Sequence, residues 1–185
     1  MTAELVERAQ RGDHEAFDAL ATAAYHRMYA IARRILRDGY AAEDAVQDAL
    51  VKAWREVRGL RDTGAFDAWL HRLLVNACYR EARRGRRFAD NVRILSFDVP
   101  AEGDDYVSVV ERDALERGFR RLPPEQRAVF VFHHHLGLTL PETAEHLGVP
   151  LGTVKSRLHY ATNTLRAALE ADLRSSTDTS RERLA

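Results

Sequence analysis

One stretch near the end of the chain, residues 138–169, restricts the fold more than any other: LTLPETAEHLGVPLGTVKSRLHYATNTLRAAL. Thr139 followed three residues later by Glu142 predicts a capping box, in which each side chain satisfies a backbone N–H at a helix start. Pro141 is tolerated in that first turn because its missing N–H would have no helical partner there. Gly148 predicts the end of this helix, since glycine readily adopts the positive φ of a C′ residue.

A second helix is expected from about Gly152. Its apolar positions recur at spacings of three and four and form one buried stripe: Val154, Leu158, Ala161 and Leu165. The opposite face carries Thr153, Lys155, Ser156, Arg157, His159 and Tyr160. Two helices joined by a glycine turn, with donors on the second, are typical of a helix-turn-helix, whose second helix enters the DNA major groove. An ordinary helical hairpin with a solvated polar face has the same pattern and remains an alternative.

Three longer amphipathic helices are expected in the N-terminal half. The first runs from Asp13 to Leu36, with its apolar residues at helical spacing: Phe17, Leu20, Ala24, Met28, Ile31 and Ile35. The second begins near Ala42, with acidic residues in its first turn, where they favour the positive end of the helix dipole. Its outer face carries Asp44, Gln47, Asp48, Val51, Lys52 and Arg55. From periodicity alone, this face is expected to be exposed to solvent.

The third helix, expected from Ala65 to Arg84, leads into a run of basic residues: Arg80, Arg83, Arg84, Arg86 and Arg87. The aromatic residues Tyr79 and Phe88 lie among them. Arginines in such a run can follow a phosphate backbone, while the rings stack on unpaired bases. The dipole at a helix end explains two or three cations, but hardly five.

The composition changes between the two halves. Residues 98–113 carry six acidic side chains and one basic side chain, and Pro100 and Gly103 lie among few periodic apolar positions. Residues 80–97 carry six basic and two acidic side chains, although the whole chain has a net charge of zero, which is unusual for a free-standing DNA-binding protein. We therefore predict an all-α fold of two small helical domains joined by a flexible acidic linker. The expected boundaries are 1–88, a linker over 89–110, 111–172 and a disordered tail over 173–185.

Several classes of protein lack the residues they would need. The single cysteine, Cys78, excludes an intramolecular disulfide and a cysteine-only zinc site. Consecutive helical positions point about 100° apart, so residues 133–135, three histidines, cannot converge on one metal ion. No glycine-rich phosphate loop or nucleophile elbow occurs, so we expect no cofactor, no metal and no enzyme active site. A charged N-terminus and the absence of a long apolar run predict a cytoplasmic protein that does not insert into a membrane.

Two blocks resemble the extracytoplasmic-function group of the sigma-70 family of RNA polymerase sigma factors. The sequence AAEDAVQDALVKAW (41–54), continuing through GAFDAWLHRLLVNACYREARRGRR (64–87), resembles sigma region 2. The sequence LPPEQRAVFVFHHHLGLTLPETAEHLGVPLGTVKSRLHYA (122–161) resembles region 4. The blocks stand in the family's order with a linker between them. The resemblance implies an alternative sigma factor that binds core RNA polymerase and directs promoter-specific transcription initiation.

The resemblance also implies contact residues in region 2. In the family, the helix that matches residues 42–58 docks on the clamp helices of the polymerase's largest subunit, which implies Asp44, Gln47, Asp48, Lys52 and Arg55. The segment that matches residues 60–80 reads the −10 element as single-stranded DNA and holds a flipped base in a pocket. The −10 residues implied here are Leu60, Phe66, Asn76, Arg80, Arg83, Arg84, Arg86 and Arg87. Flipping costs a few kcal/mol of unstacking, so the pocket needs hydrogen bonds and an apolar wall.

Region 4 of the family reads the −35 element through its recognition helix. The implied residues are Gly152, Thr153, Lys155, Ser156, Arg157, His159 and Tyr160. Many relatives carry arginines where this chain has Tyr160 and the uncharged residues 161–165, so we expect fewer phosphate contacts and a shallower salt dependence. The family's other partners are the flap region of the second-largest polymerase subunit and an anti-sigma factor that holds both domains inactive. The acidic linker resembles the segment that threads the RNA-exit path.

Two other functions remain to be distinguished from a sigma factor. A stand-alone helix-turn-helix regulator would bind duplex DNA by itself as a dimer, which the zero net charge and the acidic face around Asp44 and Asp48 argue against. An enzyme that uses the histidines would need a metal bound in the purified protein.

Overall fold

The computed structural model describes the backbone of residues 3–91 and 109–182, and side chains over 3–86 and 115–171. Eight α-helices follow one another in this part of the chain, and it contains no strand. They are α1 (Ala3–Gln10), α2 (His14–Leu36), α3 (Gly39–Glu56), α4 (Phe66–Asn91), α5 (Val109–Arg121), α6 (Pro124–Phe130), α7 (Leu140–Leu147) and α8 (Leu151–Glu182). Short 3₁₀ turns at Val57–Gly59 and Thr63–Ala65 connect α3 to α4, and a π-helical turn at Val131–His135 follows α6. The all-α prediction is confirmed.

Helix α3 begins three residues earlier than expected. The Asp38-Gly39 pair, which suggests the end of a helix, instead starts one, because the Asp38 side chain accepts a hydrogen bond from the backbone N–H of Ala41 at 3.0 Å. Helix α2 is ended by Arg37, which adopts the left-handed conformation at φ 63° and donates its N–H to the carbonyl of Arg33. The C-cap of α2, Arg37, is therefore followed directly by the N-cap of α3, Asp38, without a loop between the helices.

The predicted apolar stripes form the core of the N-terminal half. Helices α2, α3 and α4 pack against one another, and α1 covers α2. The buried side chains include Leu20, Met28, Ile31, Ile35, Val46, Leu70 and Leu74. Alanines on α3 bring the helices close together, since a methyl side chain adds little volume at the contact. Cys78 is fully buried, and its burial raises the pKa of the thiol to about 12, so the thiol stays protonated at neutral pH.

The helix-turn-helix forms as the sequence predicts. The N–H of Thr139 donates to Glu142 Oε2 at 2.8 Å, and the N–H of Glu142 donates to Thr139 Oγ1 at 3.4 Å, which completes the capping box. Gly148 has φ 65° at the end of α7. Helix α8 starts at Leu151 and its backbone remains helical to Glu182, whereas the sequence predicts disorder from residue 173. Local helix signals in that segment are weak, and continuation from the packed part of α8 extends the helix through it.

The two halves share a hydrophobic core, which the sequence does not predict. Helix α7 packs against α4, and α6 packs against both α2 and α4. Phe132, Leu147 and Val154 from the C-terminal half belong to the same buried cluster as the residues of α2 to α4. Most of the predicted linker, residues 92–108, lies outside the described residues. Over residues 3–91 and 109–182, no helix is both long and apolar enough to cross a membrane.

Candidate functional site

The outer face of α3 is one candidate surface for a protein partner. Asp44, Gln47, Asp48 and Arg55 are exposed on it, while Lys52 is half-buried. Lys52 lies 3.8 Å from Glu56, and Arg80 of α4 lies 3.4 Å from Asp48. These are exposed ion pairs, and such pairs contribute little to stability. The charged groups of this face are therefore available to a partner.

Two apolar side chains on the α3 face were not among the predicted contact residues. Tyr40 is 87% exposed and Val51 is 50% exposed. Positions 40, 44, 47, 51 and 55 follow one another at helical spacing, so both side chains lie on the stripe that carries Asp44 and Gln47. An exposed aromatic residue that interrupts a polar stripe is the signal that could have found Tyr40, because aromatic residues often anchor interfaces.

The basic end of α4 is open to solvent. Arg80, Arg83, Arg84 and Arg86 are all exposed, and Arg84 lies 3.8 Å from Glu81. The side chain of Arg87 lies outside the described residues. Four guanidinium groups along one helix end make a surface that suits a phosphate backbone.

Two of the residues assigned to the base pocket, Phe66 and Asn76, are not brought together. Asn76 is exposed on α4, but Phe66 is 3% exposed and packs against Trp69 with ring centroids 5.7 Å apart. Ten residues of helix separate Phe66 from Asn76, about 15 Å along the axis. Leu60 is half-buried in the turn before α4, where Gln10 Nε2 donates to its carbonyl at 2.6 Å. Phe66 is therefore a core residue, because helical periodicity turns it inward and Asn76 outward.

The first three turns of α8 present most of the residues predicted to contact the −35 element on one side. Gly152, Lys155, Ser156, His159 and Tyr160 are exposed, and Thr153 is half-buried. Asn163 Nδ2 donates to His159 Nε2 at 2.9 Å, which orients that ring. A shallow groove between α7 and α8 is lined by Leu140, Lys155, Leu158, His159, Thr162, Asn163 and Arg166. Arg166 was not predicted, because it lies beyond the segment that resembles the recognition helix.

Arg157 is the exception among the α8 residues predicted to contact the −35 element, because it does not lie on their open side. It is half-buried, and its Nη1 atom is buried without a hydrogen-bond partner among the described residues. Its positive charge acts on the phenol of Tyr79 in α4, whose Oη is also buried without a partner there. Burial raises the pKa of Tyr79, so the phenol is neutral. Arg157 therefore faces the N-terminal half and not the open side of α8.

The contact between the halves runs along one side of α4. His71 Nδ1 lies 2.8 Å from His146 Nδ1 of α7. The side chain of Arg72 packs under Gly148, where a Cβ would lie 3.0 Å from Arg72 Cδ. The turn of the helix-turn-helix is thus pressed against the N-terminal half.

The consecutive histidines have structural contacts. His133 Nδ1 lies 2.7 Å from the carbonyl oxygen of Leu138, and the ring of His134 packs on Phe130 with centroids 4.5 Å apart. In the part of the chain that the structure describes, no three His, Cys, Asp or Glu side chains are placed to hold a metal ion.

Comparison with known proteins adds to this geometry. The sequence model of sigma-70 region 2 matches residues 20–88, and that of sigma-70 region 4 matches residues 112–165. The chain is 39% identical over 155 residues to the ECF RNA polymerase sigma factor SigM of Mycobacterium tuberculosis. That match covers 84% of this chain and 78% of SigM. It is 32% identical over 183 residues to the RNA polymerase sigma-H factor of Pseudomonas aeruginosa, covering 92% of this chain and 95% of that protein.

Two solved structures resemble the fold. The sigma factor RpoE of Bartonella quintana, in complex with the anti-sigma factor NepR, has a TM-score of 0.65 and 28% identity, covering 84% of this chain and 98% of the other. CnrH, in complex with the cytosolic domain of CnrY, has a TM-score of 0.63 and 26% identity, covering 92% of this chain and 97% of the other.

Proposed function

This chain belongs to the extracytoplasmic-function group of the sigma-70 family, and from that membership we propose which of its surfaces contact RNA polymerase and the promoter. It is an alternative sigma factor, a subunit that directs core RNA polymerase to promoters. The observation that carries the proposal is the order of two family regions on one chain, each with an exposed charged face. Its site of action is the cytoplasm, where polymerase and chromosomal DNA meet.

The exposed face of α3 is the proposed polymerase-docking surface. Asp44, Gln47 and Asp48 supply charge and hydrogen bonds, and Tyr40 and Val51 supply apolar area on either side of them. Interfaces gain most of their affinity from a few such anchors, while charged groups set orientation and the rate of encounter. The partner of this face is the clamp-helix segment of the largest subunit, and region 4 contacts the flap of the second-largest subunit.

The basic end of α4 is the proposed surface for melted −10 DNA. Exposed arginines follow the phosphates of the single strand, and the exposed amide of Asn76 can hydrogen-bond the edge of a flipped base. The walls of that pocket come from residues nearer to Asn76 than the buried Phe66.

The open side of α8 is the proposed −35 reading surface. Lys155 is placed to donate to a guanine edge, and Gly152 allows close approach of the helix start to a phosphate. Arg166, at the far end of the groove, adds a cation that the sequence pattern alone does not assign.

The halves must separate before both promoter elements are bound. Elements centred near −10 and −35 lie about 25 base pairs apart, or roughly 85 Å at about 3.4 Å per pair. A folded unit of this size is only about 40 Å across. The arrangement in which α7 packs on α4 therefore cannot reach both elements. The similar structure of RpoE with the anti-sigma factor NepR supports an anti-sigma partner for the arrangement in which α7 packs on α4.

The experiment that tests the function is binding of the purified protein to core RNA polymerase, followed by run-off transcription from genomic fragments. We expect one-to-one binding and new start sites. Binding of duplex DNA by the protein alone, with no affinity for core polymerase, would instead favour a stand-alone regulator.

A further inference from the structure

The connection between α3 and α4, residues 57–65, has little core of its own. Val57 is buried, whereas most of the side chains that follow it in this connection are exposed. The N–H of Leu60 donates to the carbonyl of Val57 at 3.1 Å, and the N–H of Ala65 donates to that of Asp62 at 3.2 Å. Short turns with little buried apolar area open easily unless other elements hold them. The conformation of the α3–α4 connection therefore depends on its neighbours.

Gln10, the last residue of α1, hydrogen-bonds two backbone carbonyls of this connection. Its Nε2 atom donates to the Leu60 carbonyl at 2.6 Å and to the Val57 carbonyl at 3.2 Å. A primary amide nitrogen carries two hydrogens, so one side chain can serve both acceptors. Because both partners are acceptors, the amide can face them only through its nitrogen. Gln10 thus spans the turn that the Leu60 N–H closes and fixes both of its ends.

Helix α1 is held in place on its other side. Val6 and Ala9 are fully buried in the core that α1 forms with α2 to α4. Arg8 Nη2 lies 2.7 Å from Asp13 Oδ2, and Asp13 is the N-cap of α2. The last turn of α1 is therefore tied to the first turn of α2, and Gln10 extends from a fixed support.

The turn after α1 also contacts the connection. Helix α1 packs against both 3₁₀ turns, Val57–Gly59 and Thr63–Ala65. Gly12 has φ 93°, and a Cβ at this position would lie 2.9 Å from Arg58 Nη2, so the Arg58 side chain lies across Gly12. The N-terminal helix and its turn therefore form one supporting surface under the connection.

The supported segment leads into the proposed −10 surface. Leu60 begins residues 60–80, and the exposed side chains of Arg61 and Asp62 come directly after its carbonyl. A loop that is already ordered loses less entropy on binding than one that becomes ordered only on binding. It also presents its groups to a flipped base in one arrangement, which base discrimination requires. Helix α1 lies outside residues 20–88, the match to region 2, so the family match assigns it no role.

We propose that Gln10 is a positioning residue for −10 recognition, because its amide holds the α3–α4 connection in the conformation that discriminates the bases of the melted strand. This role rests on the proposed function of residues 60–80 at the −10 element. Gln10 acts through the carbonyls of Val57 and Leu60 and not by contact with DNA. Loss of the amide should therefore change which −10 sequences are used more than how tightly polymerase is bound.

Hydrogen exchange of the free protein tests the positioning without DNA. Methionine is similar in length to glutamine but has no N–H donor, so in Gln10→Met we expect the amides of Leu60 and Ala65 to exchange about tenfold faster. Amides of α3 should keep their wild-type rates. Gln126→Met makes the same chemical change at a half-buried glutamine of α6 and should alter neither region. An unchanged rate at Leu60 in Gln10→Met would overturn the positioning role, whatever the protein does at promoters.

Two further variants at the same position separate the amide contact from a loss of folding. Gln10→Asn keeps an amide but is shorter by one C–C bond, about 1.5 Å, so its nitrogen falls short of the carbonyls. It should behave as Gln10→Met does, and it keeps the experiment decisive if the apolar variant folds poorly. Gln10→Lys supplies an ammonium group with three N–H donors and should restore the wild-type exchange rates.

Run-off transcription at a saturating concentration of each variant tests the consequence for promoters. The measured quantity is the yield from a matched promoter divided by the yield from one substituted in its −10 element. We expect this ratio to fall about fivefold in Gln10→Met and Gln10→Asn, to remain unchanged in Gln126→Met and to recover in Gln10→Lys. A variant that is merely destabilised would lower both yields together and leave the ratio unchanged.

The outcomes distinguish this role from the proposed function on which it rests. A wild-type ratio in both Gln10→Met and Gln10→Asn would overturn the positioning role alone. A wild-type holoenzyme with no −10 preference would instead refute the proposed −10 function of residues 60–80, and the role of Gln10 at the promoter with it. An equal fall in Gln126→Met would also overturn the role, because the effect would not be specific to the contact with the α3–α4 connection.

Discussion

His71 and His146 join the two halves of the chain through their Nδ1 atoms, which lie 2.8 Å apart. One of these nitrogens must carry the shared proton and the other must be bare, so the contact cannot form when both rings are charged. His71 is only 4% exposed, and its ring packs edge-on against Phe132 at 5.3 Å. The contact thus lies in the core that both halves share.

The stability of the protein should fall in mild acid because of this pair. Burial, with smaller effects from the charges of His146 and Arg27, lowers the pKa of His71 from 6.5 to about 4, and Asp67 opposes the shift. Between these values the unfolded chain binds the proton and the folded chain does not. The stabilisation is therefore complete above about pH 6.5 and is lost as the pH falls to about 4, by roughly 3 kcal/mol. Urea unfolding from pH 7.5 to 4.5 measures this loss.

Matched variants assign that pH dependence to His71. His71→Gln should flatten the stability curve between pH 6.5 and 4.5, whereas His26→Gln, at an exposed histidine of α2, should leave it unchanged. Burial also lowers the pKa of His146, opposed by the charges of Glu145, Asp67 and Glu142, so part of the dependence should remain in His71→Gln. An unchanged slope in His71→Gln would show that other groups control the acid response.

Charge reversal on α3 should weaken polymerase binding. Asp44→Lys with Asp48→Lys places two positive charges on the proposed docking face, and we expect at least tenfold lower affinity for core polymerase. The fold should survive, because both side chains are exposed and the Asp48–Arg80 contact is a surface ion pair. The double reversal of Glu15 and Asp18 on α2 is the control. Equal affinities of the two double variants would remove α3 from the interface.

Tyr40 provides a test that does not depend on charge. Tyr40 is 87% exposed, so the substitution Tyr40→Ala removes almost no packing from the folded state. If the ring is an interface anchor, core polymerase affinity should fall by about tenfold or more, since anchors contribute over 1 kcal/mol each. Fluorescence anisotropy of labelled protein measures the affinity, and a change of less than twofold would exclude an anchor role.

Asn76→Ala should impair promoter melting and spare polymerase binding. The Asn76 side chain is exposed, so the fold should survive its truncation, and the proposed hydrogen bond to the flipped base would be lost. Permanganate reactivity of the −10 thymines should decrease, and a promoter with a pre-opened −10 bubble should recover much of the activity. Normal melting in this variant would refute the pocket assignment of Asn76.

Lys155→Ala should weaken recognition of the −35 element. Loss of a hydrogen bond to a guanine edge should lower the affinity for an intact −35 element by about tenfold. The holoenzyme is titrated on promoters with an intact and with a scrambled −35 element, and only the first should respond to the variant. An equal loss on both promoters would mean that Lys155 acts without sequence specificity.

Gly118 should be intolerant of even a methyl group. A Cβ at this position would lie 3.0 Å from both Ala168 Cβ and Leu165 Cδ2, where α5 crosses α8. Gly118→Ala should therefore destabilise the protein by roughly 1 kcal/mol despite the better helix propensity of alanine. At Gly85 a Cβ would meet no atom within 4 Å, so Gly85→Ala should stabilise α4 by about 0.5–1 kcal/mol. Chemical denaturation of both variants measures the contrast, and equal effects would refute it.

Local patterns predicted most of the secondary structure and the exposed faces of α3 and α8. The capping box of Thr139 and Glu142, the positive φ of Gly148 and the buried stripes depend on residues within about four positions of one another. The same periodicity places Asp44 and Lys155 on exposed faces. The misplaced start of α3 arose because Asp38 favours both the end of one helix and the cap of the next.

The sequence by itself determined the helices, their polar faces and the family, because each follows from short-range spacing or from contiguous motifs. Only the tertiary structure decided that the halves share a core, with His71 against His146 and Tyr79 facing Arg157. These partners are more than 70 residues apart, and no local rule relates their side chains. Whether Arg157 meets solvent or α4 depends on how two apolar surfaces fit together, and that complementarity exists only in three dimensions.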